Sequence, residues 1–264
     1  EIADDALTLR GLSHRAKGYG HSGESDRALA LFKEVLERQK RVLGATHPDT
    51  IVTLNSQGGS MNRMKDYAGA AASWSEAARN GRLAGTDVGL AGSLRNNAMS
   101  AYLREAAVRR DKNDLQGEIE ILELALADAR LLLEPDDSRI FSVLMNIGAA
   151  RLKRDEFSAA ASRLREALDL RREHAPDELR GLAETLELTG RAEAGLGESG
   201  RAIGMFREAI EVRRRQVAPD PNRFGATLCE LAGALILRGG EGIDEAEALL
   251  LECEKLSTGP ARTR

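Results

Sequence analysis

Apolar and polar positions along the chain alternate with a helical period, and the pattern itself recurs. Six segments carry a small residue, a large one four positions on and a second small one three further: Ala28/Phe32/Val35, Ala70/Trp74/Ala77, Glu118/Leu122/Ala125, Ala160/Leu164/Ala167, Ala202/Phe206/Ala209 and Ala246/Leu250/Cys253, with Glu118 standing in for the first small residue of the third. Their large residues lie 42, 48, 42, 42 and 44 positions apart. Ahead of each segment stands a leucine followed at i+4 by Gly or Ala: Leu12/Ala16, Leu54/Gly58, Leu94/Ala98, Leu144/Gly148, Leu186/Gly190 and Leu228/Ala232, spaced 42, 40, 50, 42 and 42. Residues at i and i+4 share a helix face. Each unit therefore reads as two helices, the first offering a small residue beside which the large residue of the second fits.

In four units twelve positions separate the small residue of the first helix from the alanine of the second, the distance of two antiparallel helices joined by a short turn. Turn residues fall in that gap: Gly23-Glu24-Ser25-Asp26, Lys65-Asp66, Arg154-Asp155-Glu156 and Gly197-Glu198-Ser199-Gly200. A single pair cannot hide its apolar face, so neighbouring pairs must stack. The prediction is an all-α chain, a right-handed α-solenoid of about six helix-turn-helix repeats near 5–43, 50–84, 88–133, 138–174, 178–217 and 222–256. These form one domain over 1–256, with a flexible tail at 257–264. Residues 109–117 are expected to lengthen the turn of the third pair, and Arg238-Gly-Gly-Glu-Gly242 that of the last.

The stretch Arg41-Val-Leu-Gly-Ala-Thr-His-Pro-Asp-Thr50, followed by Leu54-Asn55 and Gly58, carries a family likeness, with partial echoes in Leu94-Arg-Asn-Asn-Ala98 and Leu144-Met-Asn-Ile-Gly148. It resembles the Leu-Gly-x-x-His-Pro-Asp linker and Leu-Asn-Asn-Leu-Ala helix of the tetratricopeptide repeat, in the longer form of about 42 residues found in kinesin light chains and many bacterial signalling proteins. By phase the resemblance covers residues 5–256; by sequence it is close only at the first linker. Leucine replaces the family's aromatic early in the first helix. The resemblance implies a non-catalytic scaffold that holds a peptide or protein segment in a concave groove lined by the first helices.

Positions one, five and eight after each marker leucine are expected to face that groove, with a few neighbours. The candidate binding residues are Arg10, Lys17, His21, Asn55, Asn62, Arg63, Arg95, Met99, Tyr102, Met145, Leu152 and Arg191. Asn amides offer a donor and an acceptor to a peptide backbone, and Arg receives carboxylates bidentately. The expected partner carries acidic residues near Lys17, Arg63 and Arg95 and an apolar part near Met145 and Leu152. Two alternatives stay open: self-assembly through end repeats bearing Ile243, Leu249 and Leu256, and service as the regulatory arm of a kinase, nucleotide-switch or caspase-like protease domain.

Composition sharpens this reading. Aromatics make up 3% of the chain, so the core must be built from Leu, Ala, Ile and Val. A formal net charge of −4 and a lack of aromatics interleaved with basic residues argue against nucleic-acid binding. No run of apolar residues is long enough to span a bilayer. Arg213-Arg214-Arg215 and Arg171-Arg172 fall at the ends of second helices, where cations meet the negative end of the helix dipole. Cys229 and Cys253 lack metal or redox spacing and read as reduced thiols of a cytoplasmic protein. The histidines lack metal-ligand spacing, no cofactor is expected, and no nucleophile with a base can be nominated. Arg outnumbers Lys 31 to seven, a weighting that points to a bacterial, GC-rich source, and the opening Glu1 fits a fragment of a longer protein.

Overall fold

A computed structural model describes residues 5–217 and 220–257; of the tail expected over 257–264, Ser257 ends the last helix and the rest lies outside the described residues. Among these there are twelve α-helices and no strand. Contacts group the chain into two compact units, 1–134 and 135–264. The first holds α1 (Ala6–His21), α2 (Ser25–Val42), α3 (Pro48–Arg63), α4 (Tyr67–Ala84), α5 (Val88–Asp111) and α6 (Leu115–Leu132). The second holds α7 (Ser138–Leu152), α8 (Phe157–His174), α9 (Leu179–Gly195), α10 (Ser199–Arg214), α11 (Pro221–Arg238), a single 3₁₀ turn (Gly240–Gly242) and α12 (Ile243–Ser257). Within each unit every helix packs on the next in sequence, which is the solenoid arrangement.

The turn inside each of the first five pairs is built the same way. One residue adopts a left-handed conformation: Gly23 (φ 86), Lys65 (φ 64), Asn113 (φ 58), Asp155 (φ 57) and Gly197 (φ 80). The next backbone N–H then closes on a carbonyl five residues back, as in Glu24 to Tyr19 (2.9 Å), Asp66 to Met61 (3.0 Å) and Glu156 to Arg151 (3.0 Å). This is the Schellman closure, which satisfies orphan carbonyls of the first helix. The same acidic residue opens the second helix. The carboxylates of Asp66 and Asp114 accept from Gly69 N and Gly117 N, each at 2.9 Å.

The turn corrects the register of the third pair. Eleven positions before the left-handed residue stand Leu12, Leu54, Leu144 and Leu186, but in the third pair Tyr102. Tyr102 and Ala106, both buried, hold the place assigned above to Leu94 and Ala98. The six residues by which this repeat exceeds 42 lie ahead of Tyr102 and extend α5 to 24 residues. The expected loop over 109–117 is absent: Arg109 to Asp111 finish α5, and α6 begins at Leu115. Ala, Leu and Arg are strong helix formers, while Asn113 tolerates the left-handed turn and Asp114 caps.

Phe32, Trp74, Leu122, Leu164 and Phe206 are buried as expected, and the glycines beneath Trp74, Leu164 and Phe206 are needed. A β-carbon at Gly58 would stand 2.9 Å from the Trp74 indole, and one at Gly190 2.7 Å from the Phe206 ring. Leu250 departs from the pattern and is 42% exposed, whereas Ala246, Leu249, Cys253 and Leu256 pack into the core shared with α11. The reduced thiols are also corrected. Cys229 of α11 and Cys253 of α12 form a disulfide, their Cα atoms 6.0 Å apart across the antiparallel pair.

Two outcomes follow for stability. Lys65→Gly removes a side chain from a left-handed position and should stabilise the chain by about 0.5–1 kcal/mol, read as a higher denaturant midpoint at unchanged m-value. Reducing the disulfide, which spans 24 positions, should destabilise the second unit by about 3 kcal/mol. A thermal melt unaffected by reductant contradicts the second.

Candidate binding face

In the second unit, first helices enclose an open cavity of about 280 Å³. Met145 of α7 lines it, with Glu184, Glu187, Leu188 and Arg191 of α9 and Arg223 and Ala226 of α11. Its charges are paired. Arg213 of α10 is 2% exposed and reaches the Glu187 carboxylate with two bonds, 2.5 and 2.7 Å. The Thr227 hydroxyl donates to the same carboxylate. Arg191 donates to Glu230 at 2.6 Å, and Arg223 to Glu184. A guanidinium buried as deeply as Arg213 persists only with such a counter-charge. Burial pulls its pKa down, but Glu187, with Glu184 and Asp220, outweighs this and the net direction is upward. Burial raises the Glu230 carboxyl above its ordinary range against the pull of Arg191, and the Arg191 guanidinium is raised by its bond to Glu230.

Forty-two positions before Arg213, Arg171 plays the same part. It contacts Met145 Sδ at 3.3 Å, pairs with Glu178 and lies 5.6 Å from the centre of the Phe141 ring. The second helices α8 and α10 thus send long side chains under the first helices to fix the floor of the face.

In the first unit the corresponding side chain is Gln39, wholly buried. It lies beneath a small cavity of about 50 Å³ lined by Arg10, Ser13, His14 and Lys17 of α1 and by Asp49, Val52, Thr53 and Ser56 of α3. Arg10 meets Asp49 with two bonds of 3.0 Å, and the Ser13 and Thr53 hydroxyls are 2.9 Å apart. Lys17 is exposed at its edge.

The residues nominated from sequence divide sharply. Arg10, Lys17, Met145 and Arg191 line these two cavities. His21 is exposed at the end of α1. Asn55 turns to the second helix and accepts from Trp74 Nε1 at 2.9 Å. Asn62 accepts from Arg104 at 3.4 Å, and Arg63 donates to Ser60 at 3.0 Å. Arg95 donates to the Leu132 carbonyl at 3.1 Å, at the edge where α4 passes into α5. Leu152 packs against the core of α8 and α9. Met99 and Tyr102 are buried, because their positions were counted from Leu94 rather than from Tyr102. First-helix residues lining the cavities fall five, two or one before and one, two or five after the marker, and none at position eight. Glu184 and Leu188 were missed, although they continue one stripe of α9 with Glu187 and Arg191, and so was Arg223 of α11.

Among the described residues no three His, Cys, Asp or Glu side chains are grouped to hold a metal. No described helix is long and apolar enough to cross a membrane.

Stacked antiparallel helix pairs with a cavity-bearing face of first helices define a helical-repeat protein. Residues 7–79 match the tetratricopeptide repeat family. In fold the chain is a helical-repeat solenoid of the tetratricopeptide kind, and the family's sequence signature covers its first two pairs. BtubC (BKLC) from P. vanneervenii is similar at a TM-score of 0.58 and 16% identity, over 91% of this chain and 96% of that one. MamA follows at 0.51 and 16%, over 83% and 100%. A kinesin light chain structure with nearly identical TPR-like repeats, from Podosopora anserina, gives 0.48 and 15%, over 97% of each chain. At such identities the likeness is one of fold. No curated protein matches the chain.

Tyr102 supplies a test of the corrected register. Its hydroxyl donates to Asp128 Oδ2 at 2.6 Å, and burial, then that bond, push its pKa up to about 12. Being raised above the unfolded value of 10.0, it contributes stability that is complete below that value and lost as pH climbs towards about 12. Phenolate absorbance should show a late-titrating phase, and Tyr102→Phe should remove it.

Proposed function

We propose that the chain is a non-catalytic scaffold that holds a peptide or protein segment against its first helices. The observation that carries this reading is the cavity in the second unit, lined wholly by three first helices and braced from below by Arg213. A surface fixed by buried ion pairs loses little freedom when a partner binds, which favours recognition. Met145, Leu188 and Ala226 offer an apolar floor, and the paired charges at the rim leave room for a largely uncharged stretch. In the first unit Lys17 stands at a polar cavity, which supports an acidic residue in the segment bound there.

The chain would act as an adaptor or as the interaction region of a larger bacterial signalling protein. The disulfide favours an oxidising compartment over the reduced cytosol expected from the sequence.

Peptide display against the whole chain tests the reading. Ala226→Arg fills the larger cavity from an exposed helical position, and Lys17→Glu reverses charge at the smaller. Selected peptides should bind the wild type and lose about tenfold or more in affinity to one variant. Enrichment of no peptide, or binding indifferent to both changes, sinks the proposal. Size growing with concentration in the absence of peptide would instead favour self-assembly.

A further inference from the structure

The six-residue extension of the third repeat shapes a cavity at its junction with the second. Where α4 ends and α5 begins, against the end of α6, lies an open cavity of about 260 Å³. Two features of sequence open it. The longer α5 carries Val88, Ala91 and Arg95 past the end of the regular repeat. At the register where α2, α8 and α10 carry Gln39, Arg171 and Arg213, α4 has Gly81, so no long side chain fills the space.

The wall is apolar, made by Ala78, Val88, Ala91 and Leu132, and two guanidiniums stand on it. Arg82 and Arg95 meet backbone carbonyls, of Leu131 and Leu132 respectively. Neither meets a carboxylate, unlike Arg10, Arg79, Arg191, Arg213 and Arg223, each of which does. The carbonyls belong to the C-terminus of α6, whose dipole supplies about half a negative charge. Glu134 at the rim adds one more, without an ion pair. Two full positive charges therefore face less than two negative ones beside an apolar wall.

We infer that this cavity binds a carboxylate borne on a short aliphatic stem, supplied by the polypeptide the scaffold holds. The stem rests on Val88, Ala91 and Leu132; the carboxylate accepts from Arg82 and Arg95. The ligand oxygens add to the carbonyl contacts rather than replace them, because each guanidinium has five N–H donors. Glu134 repels the incoming anion and sets a limit on affinity. An acidic side chain and a chain-terminal carboxylate share this chemistry. The inference rests on the scaffold reading for the source of the ligand, but the cavity is tested without any peptide.

Three probes are titrated into the whole chain while backbone amide resonances of Gly81, Thr86 and Val88 are followed. N-acetylglutamate α-amide offers only a side-chain carboxylate, N-acetylleucine only a terminal one, and N-acetylglutamine α-amide is the neutral control. At least one acid should shift these resonances saturably and the control should not; which acid does so identifies the source. Glu134→Gln, at an exposed position, should tighten acid binding about twofold to fivefold. Arg82→Gln with Arg95→Gln should weaken it about tenfold or more. If that pair unfolds by circular dichroism, Glu134→Gln decides. Equal responses to acid and control, or acid binding indifferent to Glu134→Gln, overturn the inference. Acid binding here with no peptide captured by display would sink the scaffold reading and leave the cavity standing.

Discussion

A ring or leucine seated on a glycine or alanine is the contact on which the structure depends. Trp74 covers Gly58, Leu164 covers Gly148 and Phe206 covers Gly190, in each case too closely for a β-carbon. With aromatics at 3% of the chain, few side chains are large enough to span a wider gap between helices. The backbones must come close instead, and small residues at i+4 permit it. Dispersion over many short contacts then replaces the bulk of a conventional core.

Close approach requires fixed register, and the turns fix it. A left-handed residue followed by an acidic cap leaves the second helix no freedom of phase relative to the first. That is why Lys65 and Asp155 hold a conformation that favours glycine: the closure to Met61 and to Leu152 and Arg151 outweighs the local strain. The six extra residues of the third repeat could not enter such a turn without turning the second helix's buried face outward. They were absorbed instead between α4 and the buried part of α5, where a longer helix alters no packing phase.

This explains what the sequence discloses. Helix pairs, period and buried residues were legible because each rests on i, i+4 spacing within one element. The third pair misled because Leu94/Ala98 imitates the marker within a helix long enough to hold both it and Tyr102/Ala106. The turn residue Asn113 would have resolved the choice, counted eleven back. The disulfide was not legible, since Cys229 and Cys253 meet only through the pairing of α11 with α12. The cavity linings were half legible: Arg10, Lys17, Met145 and Arg191 are among them, whereas Asn62 and Leu152, eight after their markers, lie elsewhere, and Glu184 and Arg223 were left out.

Charge on such a face has to be read by subtraction. Many arginines serve the fold, stapling one repeat to the next, as Arg172 does with Glu208 and Arg207 with Glu245. Exposed pairs of this kind stabilise little, at most about 1 kcal/mol each. They fix the angle between neighbouring pairs more than they strengthen the stack. A partner approaching these helices meets mostly neutralised charge, so a basic residue on a groove helix says nothing about ligands until its own partner is known. Arg10 and Arg191 fail that test, each being held by a carboxylate. Lys17 passes it at one cavity, and Arg82 with Arg95 at another, where a longer helix and a missing side chain left two cations facing only the carbonyl end of a helix.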